Sequence, residues 1–243
     1  MVEVTIRRSA PVELGYFILS HLDLADDHAS LHRRRLRRPA WVKDLLAAYA
    51  SAPASTRLAL QIAPLLAESD MSPPGLDEVP GLRAAYLAAL AQEGPQHLRR
   101  FEARTTKEGR RIEVLQQEWL PRVQRLRREL FAPVDPPPLE VVGARELGRH
   151  GRGLLLPGDH RIAVDLGQPQ AALRWRVLHE ETHAVSDRRV PSGGERDTRS
   201  EGPGARRHRR LEAEALIVLH QVIAKIEPAL LGSYERWARG DSA

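Results

Sequence analysis

The stretch RVLHEETHAVSD, from Arg176 to Asp187, decides how the rest of the chain is interpreted. Histidines four residues apart lie on one face of a helix, so the imidazoles of His179 and His183 can bind one Zn²⁺. Glu180 directly follows the first histidine and can accept a proton from a water molecule that the zinc makes more acidic. The pattern therefore predicts a zinc site with Glu180 as the general base.

The sequence around this helix indicates a small sheet before it and a second helix after it. Three short β-like runs, separated by turns that contain glycine, are Leu139–Leu147, Gly153–Leu156 and His160–Leu166. Gln170–Val185 contains no Gly or Pro and is predicted to be helical, as is Ala205–Ile226. The polar segment Arg188–Gly204, rich in Gly and Pro, is predicted to form the loop between them.

The first half of the chain has a different pattern. The alternation in Val2–Ile6 predicts a short strand, and residues 11–131, rich in Ala, Leu and Arg, are mostly of helical type. The stiff segment Ala132–Pro138 (APVDPPP) is predicted to connect two domains. We therefore expect an α+β fold, with a helical domain of unknown role over 1–131 and a metal-binding domain with a small mixed sheet over 139–243.

The HEETH motif resembles that of the zincin metallopeptidases, and the resemblance extends over roughly Leu139–Ile226. It implies a motif helix packed under a sheet whose edge strand aligns a peptide substrate, and His160–Leu166 is the expected edge strand. Glu181 departs from the zincin pattern, in which the two central positions are usually uncharged. Its carboxylate is expected to face solvent or an arginine such as Arg174 or Arg176. We expect Glu181→Ala to affect activity much less than Glu180→Gln, because successive helical residues are turned about 100° apart.

A catalytic zinc site needs a third protein ligand. In the metzincin subclass of zincins this is a histidine six residues after the second motif histidine, with a glycine three residues after it. Here those positions are Arg189 and Ser186, which excludes that subclass. The gluzincin subclass takes a glutamate from a later helix, and the candidates here are Glu212 and Glu214.

Helical geometry favours Glu212 as the third ligand. Glu212 shares its helix face, within about 40°, with the apolar residues Leu216, Leu219 and Ile223. Glu214 shares its face with Val218, Gln221 and Lys225. A metal ligand must point into the interior beside the motif helix, so we predict His179, His183 and Glu212 as the zinc ligands. Glu214 stays open as the alternative, because only the helix-face argument separates the two.

Four further residues are candidates for supporting roles at such a site. Asp187, one helical turn after His183, could orient a ligand imidazole or lie in solvent. His208, His220 and Tyr234 could donate a hydrogen bond to the transition state, but such residues also occur as ordinary packing residues.

Composition limits the class of protein. The chain has 243 residues, 42% of them hydrophobic, and no cysteine, which excludes disulfides and thiolate ligands. No apolar segment approaches the length of a membrane span, and the N-terminus does not resemble a signal peptide, so we expect a cytoplasmic protein. Asn is absent and Met occurs only twice, a composition typical of heat-adapted proteins and also of GC-rich genomes.

The net charge of +5 permits a nucleic-acid partner without requiring one. Nearly all basic residues are arginines, and they cluster at residues 32–38, just before Trp41, and at Arg122–Arg128 and Arg206–Arg210. Arginines can neutralise phosphates and an aromatic ring can stack on a base, although such runs usually form a solvated helix face.

Three functions fit the sequence. The first is a zinc-dependent hydrolase of gluzincin type that cleaves a peptide or protein. The second is a zinc-binding regulatory or structural protein with little activity, which Glu181 and a loop over the cleft at Arg188–Gly204 would favour. The third is an arginine-rich nucleic-acid-binding protein in which the HEETH helix is incidental. Metal analysis separates the third from the others, and hydrolysis compared with Glu180→Gln separates the first two.

Overall fold

The computed structural model describes residues 3–22, 39–68, 79–186 and 203–240 of the chain. The strands are β1 (Val4–Arg8), β2 (Leu139–Gly143), β3 (Gly151–Leu156) and β4 (Asp159–Val164). The helices are α1 (Ala10–Leu19), α2 (Trp41–Ser51), α3 (Ala54–Leu66), α4 (Pro80–Glu102), α5 (Thr105–Val114), α6 (Leu120–Phe131), α7 (Gln170–Ser186), α8 (Pro203–Ile226) and α9 (Leu231–Ala238). These elements form an α+β fold with a mixed sheet, as predicted.

The strands form one sheet in the order β1-β2-β4-β3. β1, β2 and β4 are parallel, whereas β3 is antiparallel to β4 through a hairpin that contains Gly158 in the left-handed conformation (φ 80°). β4 therefore pairs along both of its sides. The prediction that His160–Leu166 forms the edge strand is wrong. β4 lies between β2 and β3, and β3 is the strand at the edge of the sheet.

The two faces of the sheet bury separate apolar clusters, because successive strand residues point to opposite faces. Val142 and Ala163 belong to a cluster with α1–α4, whereas Val141 and Ile162 belong to a cluster with α6–α8. Val4 and Ile6 of β1 lie in the second cluster. Both clusters thus combine residues from before and after the connector 132–138, and the independence of the two halves stays a prediction.

Helix α7 occupies a central position in the second layer. It packs against β3 and β4 on one side and contacts α6, α8 and α9 on the others. Its buried residues therefore cover most of the helix circumference, and they include charged ones. Burying a polar side chain without a partner costs free energy, which makes the ionisable residues of this helix informative. No helix within the described ranges is long and apolar enough to cross a membrane.

Candidate metal centre

Helices α7 and α8 bring together the three residues predicted as ligands. Nε2 of His179 lies 3.0 Å from Oε2 of Glu212, and Nε2 of His183 lies 3.4 Å from its Oε1. One ligand atom from each of the three residues can be chosen so that all lie within 4.8 Å of one another. Glu214, the alternative, is half-buried on the same helix and does not belong to this group. That the group binds a metal stays a prediction.

The spacing of Glu212 from each of the two histidines, and the chemistry of the three groups, are those that a zinc ion requires. Tetrahedral ligands at 2.0–2.1 Å from zinc lie about 3.3 Å from one another, close to the two separations between His179 or His183 and Glu212. Burial acts to raise the pKa of Glu212, but the hydrogen bonds from the two imidazoles outweigh it and hold that pKa well below its ordinary value. Glu212 is therefore an ionised carboxylate beside two imidazoles, a donor set typical of catalytic zinc sites.

Among the described residues, the imidazole of His179 lacks the usual outer partner. Its Nδ1 is buried and, among the residues that the structure describes, has no hydrogen-bond partner. Ligand histidines usually donate this second N–H to a carboxylate or a carbonyl. Asp187, the predicted partner of a ligand imidazole, lies outside the described residues.

Glu180 extends from α7 towards the edge strand β3. A Cβ atom added at Gly151 would lie 2.8 Å from Oε1 of Glu180 and 2.7 Å from Cδ of Arg176. A Cβ atom at Gly153 would lie 3.5 Å from Oε2 of Glu180, which is an ordinary contact. Gly151 therefore provides the space that these two side chains occupy. Sequence reasoning missed Gly151, although glycine in a strand often marks a close approach by another group.

Glu181 points away from the metal ligands into the core. It is completely buried, and its Oε1 accepts hydrogen bonds from Nη2 of Arg127 at 2.8 Å and from Nδ1 of His160 at 3.1 Å. The same Nη2 of Arg127 also donates to the carbonyl of Pro137 at 2.6 Å. Glu181 faces an arginine, as expected, but the named examples Arg174 and Arg176 are wrong, because Glu181 faces α6 and the sheet, where Arg127 lies.

Trp237 of α9 borders the centre and was not predicted from the sequence. Its ring packs edge-on against the ring of His179, with centroids 5.7 Å apart. The guanidinium carbon of Arg176 lies 4.8 Å from the centroid of the same ring. The indole thus contacts a predicted zinc ligand and the arginine next to it on α7. Nothing in the local pattern around Trp237 relates it to a helix about 60 residues earlier.

The other candidate residues lie elsewhere or outside the described parts. The hydroxyl of Tyr234 donates to the carbonyl of Leu216 at 2.8 Å, and burial raises its pKa. Nε2 of His220 lies 3.3 Å from Oε1 of Glu235, in a groove between α8 and α9. The side chain of His208 and most of the predicted loop Arg188–Gly204 are outside the described residues, although its last two residues belong to α8.

Comparisons with known proteins add no relative. No protein-family model, no curated protein and no solved structure matches the chain. The resemblance to zincins therefore rests on the HEETH motif and on the arrangement of the side chains around it. Any function assigned to the chain has to be argued from that arrangement.

Proposed function

We propose that this protein is a zinc metallopeptidase of gluzincin type, located in the cytoplasm. His179, His183 and Glu212 would hold the zinc ion, and Glu180 would act as general base. The observation that carries the proposal is the convergence of two imidazoles and one ionised carboxylate at separations that suit a tetrahedral ion. A second carboxylate, that of Glu180, follows His179 on α7 and is not needed to bind the metal.

The chemistry assigned to the chain is proton transfer and substrate alignment. A bound zinc ion would acidify water and polarise a carbonyl group. Glu180 accepts a proton from the attacking water and returns it to the leaving amine. The edge strand β3, which lies against Glu180, can pair with an extended peptide as an additional strand and so bring its carbonyl groups past this carboxylate.

Metal binding is the first test of the proposal. Purified protein is expected to bind one equivalent of zinc, and His179→Ala, His183→Ala or Glu212→Ala should each abolish stoichiometric binding, because two remaining ligands hold zinc poorly. The measurement is metal analysis after equilibrium dialysis against zinc. The matched controls are His220→Ala and Glu214→Ala, which remove the same groups outside the cluster and should leave the stoichiometry unchanged. Wild-type occupancy in His179→Ala would show that the metal binds elsewhere.

The glycines of β3 provide a second test. Gly151→Ala should lower kcat/KM for an unstructured protein substrate by about tenfold or more, because the added Cβ displaces the Glu180 carboxylate. The Glu180 carboxylate is the end of a flexible side chain, but the added Cβ also meets Cδ and Cγ of Arg176, so that side chain must shift as well. The melting temperature of Gly151→Ala is measured beside its activity to separate the two effects. The control is Gly153→Ala, whose Cβ meets Glu180 at an ordinary contact distance and should change kcat/KM much less. Equal losses in the two variants would contradict the position assigned to Glu180.

The other two functions gain no support from the described residues. The argument that Glu181 lowers activity loses its force, because this carboxylate is paired inside the core, away from the ligands. In the arginine cluster of α6, Arg127 pairs with Glu181, and Arg125 lies 4.0 Å from Glu227. The basic run at residues 32–38 is outside the described parts.

A further inference from the structure

Arg176 lies on the face of α7 that carries the candidate metal centre. It precedes His179 by three residues, Glu180 by four and His183 by seven, spacings that return to the same side of a helix. Its side chain runs along β3 at Gly151, beside the carboxylate of Glu180. The guanidinium group is thus one helical turn from the first ligand, next to the edge strand that a peptide would pair with.

The guanidinium group of Arg176 has no acceptor among the residues that the structure describes. Within the described ranges it makes no hydrogen bond and no ion pair, and its Nε is shielded from solvent. The side chain is partly exposed, so that a ligand can reach it, and its guanidinium carbon lies 4.8 Å from the centroid of the Trp237 ring. By contrast, the buried Arg127 donates to both Glu181 and Pro137. A guanidinium group that lies beside an indole ring and has no acceptor among the described residues is well suited to bind an anion.

The surrounding charges favour an anion at this position. Burial lowers the pKa of Arg176. The carboxylates of Glu180 and Glu212 act to raise this pKa, and the positive charges of Arg152 and Arg149 act to lower it further. Once a divalent cation is bound, its charge is offset by those two carboxylates, and the three arginines remain. The rim between β3 and α7 would then carry a net positive charge, which attracts an acidic substrate.

We propose that Arg176 determines substrate specificity by binding a carboxylate of the peptide next to the scissile bond. The inference rests on the proposed function and names its substrate class, peptides with a negative charge beside the cleaved bond. The carboxylate can come from an Asp or Glu side chain or from the C-terminus of the peptide. Both present two oxygens to the planar donors of a guanidinium group.

The test compares matched peptides that differ in one charge. In the first set, amidated peptides have either Asp or Asn at one position, and each position is tested in turn. In the second set, the same peptide has either a free or an amidated C-terminus. The wild type should prefer the charged member of at least one pair in kcat/KM by about tenfold to hundredfold, as expected for a charge-assisted hydrogen bond. Arg176→Gln should remove most of this preference, and Arg176→Lys, which keeps the charge but not the planar fork, should retain part of it.

Two controls separate substrate binding from a general loss of structure. Arg174→Gln removes another buried guanidinium group from α7, one whose Nε also lacks a partner among the described residues. Arg236→Gln removes a positive charge from an exposed position beside Trp237. Neither residue lies on the ligand face of α7, so neither change should alter the ratio between charged and neutral peptides.

Binding gives a readout that does not require turnover. In the Glu180→Gln background, calorimetric titration should show tighter binding of the preferred charged peptide than of its neutral partner, and Arg176→Gln should cancel the difference. If the wild type cleaves charged and neutral peptides equally, the assignment of Arg176 is wrong while the peptidase function stands. If zinc binds and no peptide is cleaved, the proposed function fails. The carboxylate site would still be supported in that case if the charged peptide binds more tightly than the neutral one and Arg176→Gln removes the difference.

Discussion

Replacing Glu180 with glutamine is expected to lower kcat/KM for peptide hydrolysis by about 10²–10⁴-fold, the usual contribution of a general acid–base group. The amide has nearly the same shape but cannot accept the proton from the attacking water or return it to the leaving amine. Bound zinc should remain at one equivalent, because Glu180 does not belong to the group formed by His179, His183 and Glu212. The measurement pairs a peptide-library assay, with and without chelator, with metal analysis of the same preparation.

Glu181→Ala is not a suitable control for Glu180→Gln, because the Glu181 carboxylate also stabilises the fold. The helical geometry predicts a much smaller effect of Glu181→Ala on activity, since Glu181 is turned away from Glu180. The substitution would leave the guanidinium group of Arg127 buried and without its carboxylate, and so destabilise the protein. The exposed Glu113 on α5 is a better control, and Glu113→Gln should retain full activity. Activity of Glu180→Gln equal to that of Glu113→Gln would contradict the peptidase mechanism.

Replacing Arg127 with alanine is expected to lower the free energy of unfolding by about 3–5 kcal/mol, as when one partner of a buried ion pair is removed. The side chains of Arg127 and Glu181 are 1% and 0% exposed, so the carboxylate is left in the interior with His160 as its remaining partner among the described residues. The pair also fixes α7 against α6 and the sheet, and with it the side chains of the metal centre. The measurement is denaturant-induced unfolding, with the slope compared to the wild type to verify a two-state transition.

A double variant tests whether Arg127→Ala loses stability because the charge of Glu181 is left unpaired. Arg127→Met combined with Glu181→Gln removes both charges and keeps an oxygen that can accept the hydrogen bond from His160. This pair should recover much of the stability that Arg127→Ala loses, because a buried ion pair can often be replaced by uncharged groups at little cost. The matched control is Arg125→Ala, whose side chain is 65% exposed and should change stability by about 0.5 kcal/mol or less. Similar losses for Arg125→Ala and Arg127→Ala would contradict the structural role of the pair.

The main helices and the predicted ligand set followed from local patterns. The pattern predicts helices over Gln170–Val185 and Ala205–Ile226, and the observed helices are Gln170–Ser186 and Pro203–Ile226. Glu212 is favoured over Glu214 because the residues that share its helix face are apolar. Within a helix, spacing in sequence determines direction in space, so such inferences need no knowledge of the rest of the fold.

The environment of these side chains was decided by the tertiary structure. β1 joins the sheet beside β2, more than 130 residues later in the chain, and β3 rather than β4 forms the edge next to Glu180. Glu181 is neutralised by Arg127, 54 residues earlier. The sequence by itself determined which side chains share a helix face, because 3.6 residues per turn is a local property of the backbone. Only tertiary packing decided which strand lies over Glu180 and which cation meets Glu181, because both depend on contacts between segments that local spacing does not relate.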